Sequence, residues 1–97
     1  MSKVLEGIRV LDFGRYIAGP YCGTLLGDLG AEVIRIEKID GSEDRFLSPI
    51  SDKGDGALFM QMARNKLSMT LNPMKPEGRK IVQKLVTTAD VVVANLP

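Results

Sequence analysis

Apolar and polar positions fall into short blocks whose period changes along the chain, and those changes predict the elements. Ile8-Arg9-Val10-Leu11-Asp12-Phe13 is apolar-rich and stops at Gly14, as a strand buried on both faces does. Tyr16, Ala18, Cys22, Leu25, Leu26 and Leu29 then recur at three- and four-residue steps. That spacing predicts a helix from Gly19-Pro20 to Leu29, with Gly30 placed to end it in the left-handed conformation. Gly23 and Gly27, four apart, predict a close approach of this helix to a sheet. Glu32-Val33-Ile34-Arg35-Ile36-Glu37 is a second strand. Residues 38–56 are polar and hold five acidic residues and four residues of Gly or Pro, which predicts a long loop. Ala57-Leu58-Phe59-Met60-Gln61-Met62-Ala63 is a short apolar helix leading through Arg64-Asn65-Lys66 to a third strand, Ser68-Met69-Thr70-Leu71. Pro76-Glu77 opens another helix, since proline and an acid are both favoured in a first turn. Its apolar face is Ile81, Val82, Leu85 and Val86, and Ala89-Asp90-Val91-Val92-Val93-Ala94 is a fourth strand.

Strands with amphipathic crossovers between them build a parallel sheet covered by helices, so the fold class is α/β, of Rossmann-like type. Ninety-seven residues make one domain. A chain this short buries little more than roughly 60% of its unfolded surface, so its stability margin is expected to be narrow. Thirteen basic and twelve acidic residues nearly cancel, and aromatics are few, which gives no nucleic-acid-binding stripe. No eighteen-residue apolar run exists and the amino terminus lacks a leader's apolar core, so a soluble, cytoplasmic chain without a membrane span is expected.

The chain has no histidine and one cysteine, Cys22. That removes Ser-His and Cys-His pairs and argues against zinc, so chemistry falls to carboxylates, Lys, Arg, Tyr, hydroxyls or backbone amides. Ligands of open parallel sheets bind at the carboxyl ends of the strands. The segments 14–19, 38–44, 64–67 and 95–97 are assigned there. They would gather Arg15, Tyr16, Lys38, Arg64, Asn65, Lys66 and Asn95 into a basic, amide-rich rim suited to phosphates and a nucleobase. Plainer roles compete. Arg64-Asn65-Lys66 reads as a solvated turn, Lys38 as half of a surface pair, Tyr16 and Cys22 as core, and Asp12 as an acceptor for amides of the next turn. A dinucleotide site is disfavoured despite Glu37 at the end of the second strand. Gly14-Arg15-Tyr16-Ile17-Ala18-Gly19-Pro20 is not G-x-G-x-x-G and sets bulky side chains where a pyrophosphate needs bare backbone.

Leu5-Glu6-Gly7-Ile8-Arg9-Val10-Leu11-Asp12-Phe13 with Ala18-Gly19-Pro20 resembles the opening of class III CoA-transferases, the formyl-CoA and carnitine type. Leu29-Gly30-Ala31-Glu32-Val33-Ile34-Arg35-Ile36-Glu37, Asn65-Lys66 with Ser68, Pro76-Glu77-Gly78-Arg79 and Ala89-Asp90-Val91-Val92-Val93-Ala94-Asn95 follow in that family's order. The resemblance implies a coenzyme A site at Ile17, Ala18, Lys38, Met62, Ala63, Arg64, Asn65, Lys66, Asn95, Leu96 and Pro97. Ile17 and Ala18 are less polar than the family's usual residues, and Lys38 stands where arginine is frequent. The resemblance further implies transfer of CoA from an acyl-CoA donor to a carboxylic acid acceptor through an aspartyl anhydride and an enzyme thioester. It places that aspartate beyond the position of Pro97, so residues 1–97 would be a truncated CoA-binding amino-terminal segment of an interlocked homodimer. CoA or acyl-CoA would be substrate, with no resident cofactor or metal. An α-methylacyl-CoA racemase and a non-enzymatic nucleotide-binding module are the alternatives.

Overall fold

In a computed structural model of the chain, residues 3–47, 52, 54 and 56–95 are described. Four parallel strands, β1 (Arg9–Asp12), β2 (Glu32–Glu37), β3 (Leu67–Thr70) and β4 (Val91–Val93), lie in the order β3-β2-β1-β4. This is the parallel α/β sheet that the alternating strand and helix patterns predict. Arg9 pairs with Glu32, Val10 with Val91 and Ile34 with Leu67, so β1 and β2 are interior and β3 and β4 are edges. Three helices connect them: α1 (Ala18–Asp28), α2 (Ala57–Met62) and α3 (Pro76–Thr88).

Each sheet face has its own apolar cluster. Val10, Ala31 and Val33 pack with Leu26 of α1 on one side. Leu11, Ile36 and Leu71 pack with Val82 and Leu85 of α3 on the other. Period-two alternation along β1 and β2 produces this division. Toward its carboxyl end the α1 side turns from apolar to charged: Asp12, Arg35 and Glu37 are buried there at 2% exposure or less. The second strand is thus not apolar throughout. Its alternate residues Arg35 and Glu37 face inward because partners in the following loop compensate them.

Helix α1 meets the sheet through its smallest residues. Gly19, Pro20, Gly23, Thr24 and Gly27 are its buried positions, whereas Tyr21, Leu25 and Leu29 lie open. Leu26 packs on the sheet while Tyr21, Leu25 and Leu29 face away from it, and Cys22 is exposed rather than core. The close approach foreseen from Gly23 and Gly27 is present: a β-carbon at Gly23 would stand 3.0 Å from Asp12 Oδ2, and one at Gly27 3.3 Å from Val33. Gly30 has φ 109°. Its amide donates to Gly27 O and that of Ala31 to Leu26 O, the paired bonds that close a helix through a left-handed residue. In α3, Val82 and Leu85 reach the core while Ile81 and Val86 remain 40% and 45% exposed, because one helix row faces the sheet and its flanks do not.

A 3₁₀ turn, Glu43–Phe46, lies against α2. Phe59 of α2 packs on two guanidinium groups, with Arg45 at 4.1 Å and Arg35 at 5.1 Å from its ring centroid.

Candidate functional site

The crossovers through α1 and α3 cover opposite faces, so the chain's path diverges between β1 and β4, where open α/β sheets place ligands. An open hollow of about 670 Å3 lies there, lined by Arg15, Tyr16, Ile17, Ala18, Glu43 and Asn95. That volume is within the range of small-molecule sites. A narrower cleft of about 240 Å3 adjoins the ends of β2 and β3, lined by Phe13, Arg15, Lys38, Asn72, Pro73 and Met74 among others.

The turn after β1 forms the floor of the hollow. Asp12 Oδ1 accepts the Gly14 amide at 2.8 Å, which is the role expected for it. Arg15 curls back, donating from Nη1 to Phe13 O and Gly14 O and from Nη2 to Ile36 O at 3.3 Å. Its charge thereby covers the carbonyl ends of two strands. Tyr16, at φ 63°, is 43% exposed and not core. Ile17 and Ala18 open α1 without a side-chain cap, leaving the positive end of the helix beside the hollow.

Beneath the rim lies a buried ionic cluster. Arg35 Nη2 donates to Asp44 Oδ1 at 2.8 Å, and Arg35 Nε lies 3.1 Å from Glu37 Oε1. Arg45 and the Ser42 amide also donate to Glu37. Burial pushes the Glu37 carboxyl up, but the bonds from Arg45 and Ser42 and the charge of Arg35 outweigh it and hold the pKa at about 2. On the rim, Lys38 Nζ donates to Glu43 Oε1 at 2.8 Å. That bond raises the ammonium's pKa and lowers that of the carboxyl.

The structure divides the expected site residues. Ile17, Ala18 and Asn95 line the hollow, and Lys38 is at the rim of the adjoining cleft. Leu96 and Pro97 lie outside the described residues. Met62 to Lys66 run along α1 away from the hollow, with Thr24 Oγ1 donating to Met62 O and Asn65 Nδ2 to Gly27 O. Arg64 pairs with Asp28 at the carboxyl end of α1, and Ala63 ends α2. The placement of segment 64–67 at a strand's carboxyl end is thus corrected. These residues enter β3, and entry to a parallel strand is at the amino end of the sheet. Lys66 alone reaches back, bonding Asp12 Oδ2 at 2.7 Å and Pro20 O at 2.9 Å with its side chain 2% exposed.

Sequence reasoning missed Glu43 and Asp44, and Asn72-Pro73-Met74 at the true exit of β3. One signal for Asp44 was present: Arg35 alternates inward on β2 and requires a counter-charge nearby. Among the described residues no cluster of three or more potential metal ligands occurs, and no helix is long and apolar enough to cross a membrane.

Residues 5–97 match the model of CoA-transferase family III. The chain is 42% identical over 94 residues to succinyl-CoA:glutarate CoA-transferase of Mus musculus, covering 96% of this chain and 22% of that protein. It is 40% identical over 97 residues to formyl-CoA:oxalate CoA-transferase of Rhodopseudomonas palustris, covering 98% and 23%. A CAIB/BAIF family protein from Brucella suis superposes with a TM-score of 0.90 at 38% identity, over 99% of this chain and 26% of that one. The chain spans under a quarter of the length of these two curated relatives.

Proposed function

The chain belongs to CoA-transferase family III, and on that premise we propose that it supplies the CoA-binding part of an enzyme moving CoA from an acyl-CoA donor to a carboxylic acid acceptor. The observation that carries this reading is the hollow at the switch point of the sheet, floored by a helix start and flanked by Arg15 and Lys38. Lys38 and Glu43 are 60% and 61% exposed, so water screens the pair and it holds little energy. A phosphate can therefore take Lys38 from Glu43 at small cost. Lys66 cannot be taken in this way, since its ammonium neutralises a fully buried carboxylate. Ile17 and Ala18 would meet the ligand through backbone and apolar surface, and Asn95 through its main chain. In the same reading Met62, Ala63, Arg64 and Asn65 contact only a ligand that extends along α1.

The chemistry would follow the covalent route of a carboxylate nucleophile, which divides a difficult acyl exchange into two easier steps. Asp12 and Asp44 are unsuited to it, because each is buried against a cation. Neither of these two carboxylates is therefore expected to carry the transfer. The open face of α1 supports assembly as a dimer.

Calorimetric titration with CoA, with NAD as control, tests the reading. Selective CoA binding, weakened about threefold to tenfold by Lys38→Ala and by raised salt, is the expected outcome for one lost phosphate contact. Equal binding of NAD, or none of CoA in a folded sample, would overturn it.

A further inference from the structure

The turn that feeds the hollow holds a conformation its own residues disfavour. Tyr16 has φ 63°, a region that costs a residue with a β-carbon, and its ring is too exposed to be what pins it there. Two side chains from distant parts of the chain supply the constraint. Asp44 Oδ2 accepts the Tyr16 amide at 3.1 Å. Asn95 grips the preceding residue on both sides: Oδ1 accepts the Arg15 amide at 2.8 Å and Nδ2 donates to Arg15 O at 3.1 Å. Asp44 is itself fixed, since both of its oxygens accept from Arg35 Nη2. Strained backbone persists only where its surroundings over-determine it, and here the surroundings are a buried ion pair and an amide clamp.

We propose that Asp44 and Asn95 are positioning residues of the CoA site, which hold the turn 14–17 in its ligand-ready form without using their own side chains as ligand contacts. This rests on the reading of the hollow given above. Both polar atoms of the Asn95 side chain are occupied by Arg15, and both Asp44 oxygens by Arg35 and Tyr16. Their effect on binding is consequently a matter of population. If removing a clamp leaves the turn competent about one tenth of the time, the apparent Kd for CoA rises about tenfold. Glycine at position 16 takes the left-handed region freely, so it should weaken the dependence on the clamp.

Amide hydrogen exchange and CoA titration of the 97-residue chain test this together. The Arg15 and Tyr16 amides should exchange slowly in the native sequence. Asn95→Ala, a change at an exposed position, should release Arg15 and weaken CoA about tenfold; Asp44→Asn should release Tyr16. In a Tyr16→Gly background, Asn95→Ala should cost less than about threefold, since the strain it relieves is gone. Fast exchange of both amides in the folded native chain would overturn the clamp. So would unchanged CoA affinity in Asn95→Ala, or an equal loss with Gly at position 16, which would mark Asn95 as a ligand contact. Absence of CoA binding by the folded native chain defeats the reading of the hollow instead, and the clamp then stands or falls on the exchange rates.

Discussion

Asp12 and Lys66 show how a sequence candidate changes role once its neighbours are known. The pair joins the end of β1 to the entry of β3 beneath α1, and Lys66 also holds Pro20 O. Removing one partner of a buried pair strands the other, at a cost of about 3–5 kcal/mol. Lys66→Met is expected to lose that much by urea denaturation, a large share of the roughly 5–15 kcal/mol that small proteins hold. Glu37 makes a separate prediction. Its folded pKa of about 2 lies below the ordinary 4.5, so its stabilisation is complete above about pH 4.5 and is lost as pH falls toward 2. The difference corresponds to about 3 kcal/mol. A series of melts from pH 6 to pH 2 should show this decline, and Glu37→Gln should flatten it.

At the scale of elements, α1 sits on the sheet by virtue of what its inner face lacks. Gly14 and Gly19 touch backbone to backbone, and a β-carbon at Gly19 would lie 2.6 Å from Asn95 Oδ1 and 2.9 Å from Gly14 Cα. Alanine normally gains about 1 kcal/mol over glycine inside a helix. Here Gly19→Ala is nevertheless expected to lower the melting temperature and weaken CoA, because it displaces Asn95 from Arg15. An unchanged or higher melting temperature would contradict the packing. The outer face of α1 carries Ile17, Tyr21, Leu25 and Leu29 at four-residue steps, each at least 44% exposed. Periodicity finds that stripe but cannot tell which face of the helix the sheet takes. With two clusters of small and large residues on one helix, the closer-fitting small face won.

For the molecule as a whole, the interior strands are covered and the edges are not. β3 and β4 expose most of their residues, including Leu67 at 56% and Val92 at 50%. Together with the α1 stripe, these residues leave open apolar surface and unpaired strand edges of the kind that favour association. The isolated chain is expected to self-associate in light scattering, and Tyr21→Lys with Leu25→Lys should reduce it. A monodisperse native chain would show that this surface is tolerated in water.

The succession of strands and helices, the helix positions and the left-handed end at Gly30 were legible in the sequence, because they rest on local period and on conformational preferences of single residues. The resemblance in five segments was legible for the same reason, since it consists of residues adjacent in the chain. Local pattern could not say which side of α1 meets the sheet, that Arg64 and Asn65 lie at the far end from the hollow, or that Lys66 is spent inside. Nor could it join Tyr16 to Asp44, 28 residues away in the chain, or Arg15 to Asn95, 80 residues away. Those pairings exist only when parallel strands bring their carboxyl ends together, and burial there obliges each charge and each strained amide to find a partner. The sequence determined the sheet, and tertiary packing decided which of its polar residues remain available to a ligand.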